Sequence, residues 1–516
     1  MTRNGNTSDH RVRVLVIGAG FSGIGAAVKL TEAGIDDFVV LEKAAVPGGT
    51  WRENTYPGCA CDVMSTLYSF SFAPNPDWSR IYGTQPEIQD YLLDVAERFD
   101  VNRRIEFGTE ALESRWDEPS KRWIVETNRG RYVAEAVIAA AGPLHEPKIP
   151  DLPGLGGFEG TVFHSATWDH DHDLAGERVA VVGTGASAVQ FIPEIAAEVG
   201  EMTIFQRTAP WVVPKPDAPV PAGVRSFFRR LPFAQRLFRE GIYHVHELIQ
   251  IAQRHPRVMQ QVQRLMLRWM HSIVRDPQLR EKVTPDYTLG CKRILPSNGY
   301  YPALTRDNVD VVAAGVAEVR PNSVVDANGD EHEVDTIIFG TGFHATDPPI
   351  ADRVRGRDGR TLAETWGGNF EAYLGTTIAG FPNAFLTLGP NLGNGHNSAV
   401  VIVEAQLRYI VDALKAMERE QVSSISLRED VSDAWNEQVQ EGLEGTVWND
   451  GGCVSWYLNE EGRNVAIYPW TTIDLRRRMR GFDLADYEVT RAPEPAVTGA
   501  NGNGRARTGS GVEVAA

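Results

Sequence analysis

The sequence has little cysteine, no surplus of positive charge and no long apolar run, and each shortage removes a class of protein. Four cysteines, Cys59, Cys61, Cys291 and Cys453, are too few and too irregularly spaced for a disulfide framework or a four-ligand zinc site. The expectation is a reducing, cytoplasmic setting, with Cys59 and Cys61 as ordinary thiols because Cys-Ala-Cys lacks the C-x-x-C spacing of a redox pair. Lys and Arg number 51 against 68 Asp and Glu, a net charge of −17. That sign is wrong for a general nucleic-acid binder, which must displace counterions from phosphate. No uncharged stretch reaches the roughly 18 residues that a membrane span needs, and residues 1–10 lack the apolar centre of a secretion signal. The run Asp169-His170-Asp171-His172-Asp173 reads as solvated polar sequence rather than a metal site, and residues 488–516, rich in Gly, Ala and Pro without periodicity, read as a disordered tail. At roughly 150 residues per domain the chain is long enough for about three domains.

What the sequence does contain is concentrated first in residues 11–43. Val12, Val14, Leu15, Val16 and Ile17 make the continuous apolar run of a strand buried on both faces, and it ends in Gly18-Ala19-Gly20-Phe21-Ser22-Gly23. Helical spacing follows through Ile24, Val28 and Leu30 to Gly34, and a second strand, Phe38-Val39-Val40-Leu41, ends at Glu42. In this context Gly18 allows the tight turn, Gly20 lets the backbone approach a pyrophosphate, Gly23 lets helix and strand pack, and Glu42 accepts hydrogen bonds from a ribose. A glycine turn alone is weak evidence, but here strand, helix and acid agree.

The unit recurs. A strand over 178–182 runs into Gly183-Thr184-Gly185-Ala186-Ser187-Ala188, a helix over 189–199 follows, and the next strand ends in Gln206-Arg207-Thr208. Gly183, Gly185 and Ser187 form the second phosphate loop, with Ala188 in the place of the third glycine. A cation and a hydroxyl, Arg207 and Thr208, stand where the first unit has its acid, and they suit a 2′-phosphate that a carboxylate would repel. A surface arginine closing a strand end is the competing reading of Arg207. The first unit is therefore expected to hold FAD and the second NADPH.

Between the loops lies Phe158-Glu159-Gly160-Thr161-Val162-Phe163-His164-Ser165-Ala166-Thr167-Trp168-Asp169, which has the form F-x-G-x-x-x-H-x-x-x-W-D. Gly48-Gly49-Thr50-Trp51, Tyr56-Pro57-Gly58 and Asp62 make a second pattern. Both resemble signatures of the type I (class B) flavin-dependent Baeyer-Villiger monooxygenases, and Trp168 stands where the related heteroatom-oxidising enzymes typically carry Tyr. Gly290-Cys291-Lys292-Arg293, Gly340-Thr341-Gly342-Phe343, Gly389-Pro390-Asn391 and Trp456 also look like the family, so the resemblance spans roughly residues 10–480.

The resemblance implies an α/β fold of two dinucleotide-binding, Rossmann-like domains with a helical insertion. Residues 1–150 and 335–487 would bind FAD, 151–215 and 286–334 would bind NADP, and 216–285 would be the insertion. The strand over 335–342 is expected to return to the FAD sheet. The implied reaction inserts one oxygen atom of O2 beside a ketone carbonyl, through a C4a-peroxyflavin, to give an ester or lactone. Arg293 would be the catalytic cation, oriented by Asp62. Thr50, Trp51 and Asp62 would lie at the cofactor, Lys292 would join Arg207 on the 2′-phosphate, and Trp456 would sit on a loop closing over the nicotinamide. Asn391, before a helix over 399–417, would either touch FAD or shape a turn. His164 and Trp168 are assigned to linkage between the domains, without proton transfer. A heteroatom oxygenase, an uncoupled NADPH oxidase and a non-enzymatic nucleotide-binding redox sensor are the alternatives, and nothing in the residues separates cyclic, aryl and linear ketones.

The segment 224–283 has apolar residues at helical spacing and twelve basic side chains against four acidic, near +8 in a chain of −17. Such a surface can touch a membrane peripherally or steer anionic substrates, although charge runs usually solvate a helix.

Overall fold

A computed structural model describes residues 9–491. The apolar run expected to be a central strand is one: His10–Ile17 pairs in parallel with Phe38–Glu42 on one side and Gly130–Ala139 on the other. Val14, Leu15 and Val16 are fully buried, which a strand covered on both faces requires. Ile105–Phe107 extends this first sheet beyond Phe38–Glu42, while Arg122–Thr127, Ala111–Asp117 and Val354–Arg355 extend it beyond Gly130–Ala139. The helix Phe21–Glu32 lies against the long helix Ala399–Arg419, so closely that a Cβ on Gly25 would fall 2.9 Å from Leu407 Cδ1.

A second sheet is parallel throughout, in the order Val309–Val312, Glu201–Phe205, Arg178–Val182, Thr336–Phe339, Thr161–His164. This corrects one expectation. Thr336–Phe339 does not return to the first sheet; it fills the slot between the second unit's first strand and the fingerprint strand, with Phe339 opposite both Val182 and His164. All four of its residues are buried, so it needs a central position, and the neighbouring acid selects which. Asp335 accepts from Arg178 N at 2.9 Å, Nε at 3.1 Å and Nη2 at 2.7 Å, pinning the strand beside Arg178–Val182. The chain rejoins the first sheet later, through Val354–Arg355 and through Ala384–Leu386, which pairs with Gly130–Ala139.

The insertion is helical as expected: Ala222–Arg230, Pro232–Gln253, Pro256–Ile273 and Pro277–Val283. The last three each carry proline in the first turn, where its missing N–H is not needed. At the other end, Tyr487–Arg491 pairs antiparallel with Val422–Leu427, so residues 488–491 are a strand edge and not part of a tail. Tyr487 anchors it, its hydroxyl within 3.0 Å of Thr377 Oγ1 and 2.9 Å of Tyr409 Oη. The rest of the expected tail, 492–516, lies outside the described residues. Among the described residues no helix is long and apolar enough to cross a membrane.

Candidate active site

The two phosphate loops are geometric copies. Gly18 and Gly183 both have φ +101°, and a Cβ there would lie 2.8 Å from Ala140 O in one case and 2.7 Å from Gly340 O in the other. A Cβ on Gly23 would sit 1.8 Å from Gly18 O, which is why strand and helix can meet only with glycine there. Gly20 and Gly185 begin the helices Phe21–Glu32 and Ala186–Ile195 with no side-chain cap, so the first-turn N–H groups are left for an anion. Gly48 N donates to Ala19 O at 2.9 Å, and a Cβ on Gly49 would come within 3.0 Å of Gly20 Cα. Two glycine segments thus form a cradle that side chains would fill, which fits a dinucleotide.

Glu42 is 4% exposed, and its carboxylate is already oriented. Oε2 accepts from Ala19 N at 2.9 Å and Oε1 from Ala44 N at 2.9 Å, with Arg52 Nη1 at 3.2 Å from Oε1. Oε2 retains an acceptor direction for a ribose hydroxyl. Thr50 opens the short helix Thr50–Glu53 with its hydroxyl 3.5 Å from Leu144 O, and buried Trp51 donates from Nε1 to Tyr68 Oη at 3.0 Å.

Residues 231 positions apart then come together, as the two motifs predict. Arg293 donates to Asp62 Oδ2 from Nε at 2.9 Å and from Nη2 at 2.6 Å, leaving Nη1 outside the pair. The Asp62 charge holds the Arg293 guanidinium above even its ordinary value. The side chains are 39% and 21% exposed for Arg293 and Asp62, so the cation is fixed but open to a reactant.

Three neighbours escaped the sequence reading. Tyr457 is buried beside the pair; burial pushes its phenol up to about 12, Arg293 pulls it down and Asp62 raises it, so it is neutral. Lys215 is held below its ordinary value by burial, and the charges of Asp217 and Asp62 act against that. Gln190, in the second unit's helix, clamps the Asp62 segment: Oε1 accepts from Tyr56 Oη at 2.9 Å and Ala60 N at 3.3 Å, and Nε2 donates to Ala60 O at 2.8 Å. Ser187, half-buried one turn earlier, also reaches the Tyr56 hydroxyl. The only sequence signal for these residues is adjacency, to Ser187 for Gln190 and to Trp456 for Tyr457.

The 2′-phosphate candidates also gather. Arg207 is exposed at the end of Glu201–Phe205, its stem packed so closely on Gly315 that a Cβ there would lie 3.2 Å from Cγ, and Thr208 beside it is half-buried. Lys292 lies 5.0 Å over the Tyr287 ring. Burial holds its ammonium below the ordinary value, Asp286 opposes this, and Arg207 adds to it. Two cations that repel each other this way suit an incoming dianion.

Asn391 has φ +52° and gives its Nδ2 to Asn464 O at 3.0 Å and Ile467 O at 3.4 Å, contacts of the turn-shaping alternative. The cysteine count excluded a framework but not a single bridge: Cys291 is disulfide-bonded to Cys453, 162 residues away, with Cα atoms 6.1 Å apart. The bridge ties the segment carrying Lys292 and Arg293 to the loop carrying Trp456, which is 54% exposed and has its ring 4.7 Å from Tyr457. Cys59 and Cys61 are free and buried, and burial pushes the Cys59 thiol up to about 11.

The fingerprint residues lie at the edge of the second sheet and against its nucleotide helix. His164 is 2% exposed, accepts from Ala166 N at 3.0 Å through Nδ1, and is pushed by burial down to about 4. Trp168 packs between Phe163 and Phe191, at 5.1 and 5.2 Å, joining the edge strand to the nucleotide helix. His170 meets Thr55 Oγ1 at 2.8 Å and His172 meets Glu177 at 3.0 Å.

Residues 15–258 match the family model described as pyridine nucleotide-disulphide oxidoreductase. The chain is 50% identical over 510 residues to a Baeyer-Villiger monooxygenase of Streptomyces coelicolor, covering 98% of each chain. It is 48% identical over 489 residues to a Baeyer-Villiger monooxygenase of Pseudomonas aeruginosa, covering 94% of this chain and 93% of the other. Its fold superposes on the cyclohexanone monooxygenase of Rhodococcus sp. Phi1 bound to NADP+ with a TM-score of 0.83 at 32% identity, covering 94% of this chain and all of that one. With Asp62 of the second signature joined to Arg293, and with likeness over more than nine-tenths of two relatives, the chain belongs to the Baeyer-Villiger monooxygenase family.

Proposed function

We propose that the chain is an FAD-containing, NADPH-dependent monooxygenase that inserts one oxygen atom of O2 next to a ketone carbonyl, and that Arg293 and Asp62 carry the choice of this reaction. The observation behind the assignment is the ion pair of Arg293 and Asp62, made between the two nucleotide units and open to a reactant. FAD belongs in the cradle of Gly18, Gly20, Gly23, Gly49 and Glu42, and NADP at Gly183, Gly185, Ser187, Arg207, Thr208 and Lys292. The division at residue 335 moves, because Thr336–Phe339 belongs with the second sheet.

When bound and reduced by NADPH, the flavin activates dioxygen. The side chains around it choose the target of the oxygen. Arginine stays ionised at every useful pH, so Arg293 favours an anionic oxygen nucleophile and stabilises the oxyanion formed when a carbonyl is attacked. Asp62 holds the guanidinium by two hydrogen bonds, so no reorganisation is needed as charge develops. Tyr457, neutral and buried, fills space beside the pair that water would otherwise occupy. Lys292 and Arg207 retain the nicotinamide nucleotide by its 2′-phosphate, and Trp456 stands at the rim on the loop tethered by Cys453.

The test is product analysis with NADPH, O2, a panel of ketones and one sulfide. NADPH consumption matched by ester or lactone supports the assignment. Hydrogen peroxide as the sole product, or oxygen transfer to the sulfide alone, overturns it.

A further inference from the structure

The helix Pro232–Gln253 is built inside out. The side chains it buries are Gln235, Arg239, Tyr243, Glu247, Gln250 and Gln253. Their polar atoms bond to the body of the protein: Gln235 Nε2 donates to Asn75 O at 2.6 Å, Arg239 Nη1 to Leu67 O at 2.8 Å and Gln250 Nε2 to Trp470 O at 3.0 Å, while Glu247 Oε2 accepts from Thr472 N at 2.9 Å. The face turned outward is apolar. Phe233 is 75% exposed, Leu237 63%, Val245 59% and Leu248 63%. Val258, Val262 and Leu265 of the next helix, Pro256–Ile273, are exposed as well. Thirteen of the twenty-three large apolar residues exposed among the described residues fall between Val224 and Leu265. An apolar cleft of about 650 Å³, with Phe228, Phe238 and Ile242 in its walls, opens on the same face. Scattered exposed leucines are ordinary, but a contiguous patch on a helix that has turned its polar face inward marks a docking surface.

Charge decides what docks. Exposed Arg230, Arg236, Arg254, Arg257 and Arg264 border the patch, and the segment 224–283 is near +8 although the whole chain is −17. A two-fold contact between copies through this face would set that positive charge against itself. An anionic bilayer is complementary on both counts: apolar side chains enter the acyl boundary, and arginines meet lipid phosphates. We propose that the outward face of Pro232–Gln253, with the adjoining face of Pro256–Ile273, docks the protein on an anionic lipid surface without crossing it.

The experiment is flotation of the full-length protein with phosphatidylcholine vesicles, with and without phosphatidylserine, and light scattering over a concentration series. Leu237→Gln with Leu248→Gln removes apolar surface at positions that make no contribution to the core, and ketone turnover reports that this variant is folded. Binding to the phosphatidylserine vesicles that weakens at high salt and falls about tenfold in the double variant is expected. Arg254→Gln with Arg257→Gln lowers binding to anionic vesicles without changing that to neutral ones. Absence of vesicle binding, equal binding to neutral and anionic vesicles, or an undiminished double variant overturns the proposal. So does a dimer that the double variant dissolves, which would make a second copy the occupant.

Discussion

Replacing Arg293 with Ala removes the guanidinium tied to Asp62 and leaves the phosphate loops intact. Both side chains are partly exposed, at 39% and 21%, so the ion pair itself contributes only about 0–1 kcal/mol to stability and the variant should fold. Its loss falls on the chemistry. Withdrawing a preorganised donor from a developing oxyanion costs roughly 10²–10³ in rate, and the carboxylate of Asp62 left behind adds repulsion to any anion formed there. NADPH oxidation, which depends on the two cradles, should continue. The assay follows NADPH, ester and hydrogen peroxide together: Arg293→Ala should consume NADPH, release peroxide and form ester at least about a hundredfold more slowly. Asp62→Asn should do less harm, since an amide oxygen still accepts from Nε and Nη2 and the arginine stays charged. Normal ester formation by Arg293→Ala, or a larger loss in Asp62→Asn than in Arg293→Ala, would refute the role given to the cation.

Arg207→Ala and Lys292→Ala should each raise KM for NADPH about ten- to a hundredfold, the worth of a charge-assisted hydrogen bond, with KM for NADH little changed; equal effects on both nucleotides would remove the phosphate assignment. Gly23→Ala should yield colourless protein, because the added Cβ would lie 1.8 Å from Gly18 O, and bound flavin absorbance is the measurement. Thiol titration of the unfolded protein should count the two free cysteines, Cys59 and Cys61, before reduction and all four after it, and losing the bridge should cost about 2–5 kcal/mol, read as a lower Tm. His164, buried and pushed down to about 4 from an ordinary ~6.5, binds its proton in the unfolded chain first. Its contribution is therefore fully present above pH ~6.5 and lost as pH falls toward 4, by about 3 kcal/mol in all; denaturant unfolding across that window should show a shallower slope in His164→Gln.

Much of the fold was legible because its signals are local. Val12 to Glu42 carries strand, glycine turn, helix and acid within one stretch, and the structure reproduces that order, with the strand starting earlier at His10 and the helix running over Phe21–Glu32. Asp62 and Arg293, 231 residues apart, were brought together by two motifs and not by any property of an aspartate or an arginine alone. Gln190 shows the limit: a glutamine on a helix is unremarkable until the fold sets Tyr56 and Ala60 against it.

The errors share a physical origin in long-range choices that the local pattern leaves degenerate. A strand such as Thr336–Phe339, buried on every residue, satisfies any central slot, and the preference for one sheet came from the hydrogen bonds of Asp335 to Arg178. Cys291 and Cys453 are separated by 162 residues, and only the packing of the Trp456 loop makes them neighbours. The insertion presents the same degeneracy in its sharpest form. Helical periodicity in 232–253 predicts one apolar and one polar stripe, yet says nothing about which faces the protein. Hydrophobic burial alone would turn Leu237 and Leu248 inward. The opposite happens because the surface beneath offers the carbonyls of Leu67, Asn75 and Trp470 and the buried hydroxyl of Thr472, which Arg239, Gln235, Gln250 and Glu247 match. Leaving those groups unpaired in the interior would cost more than leaving leucines at the surface, and the cost of the exposed leucines falls further if a lipid surface covers them.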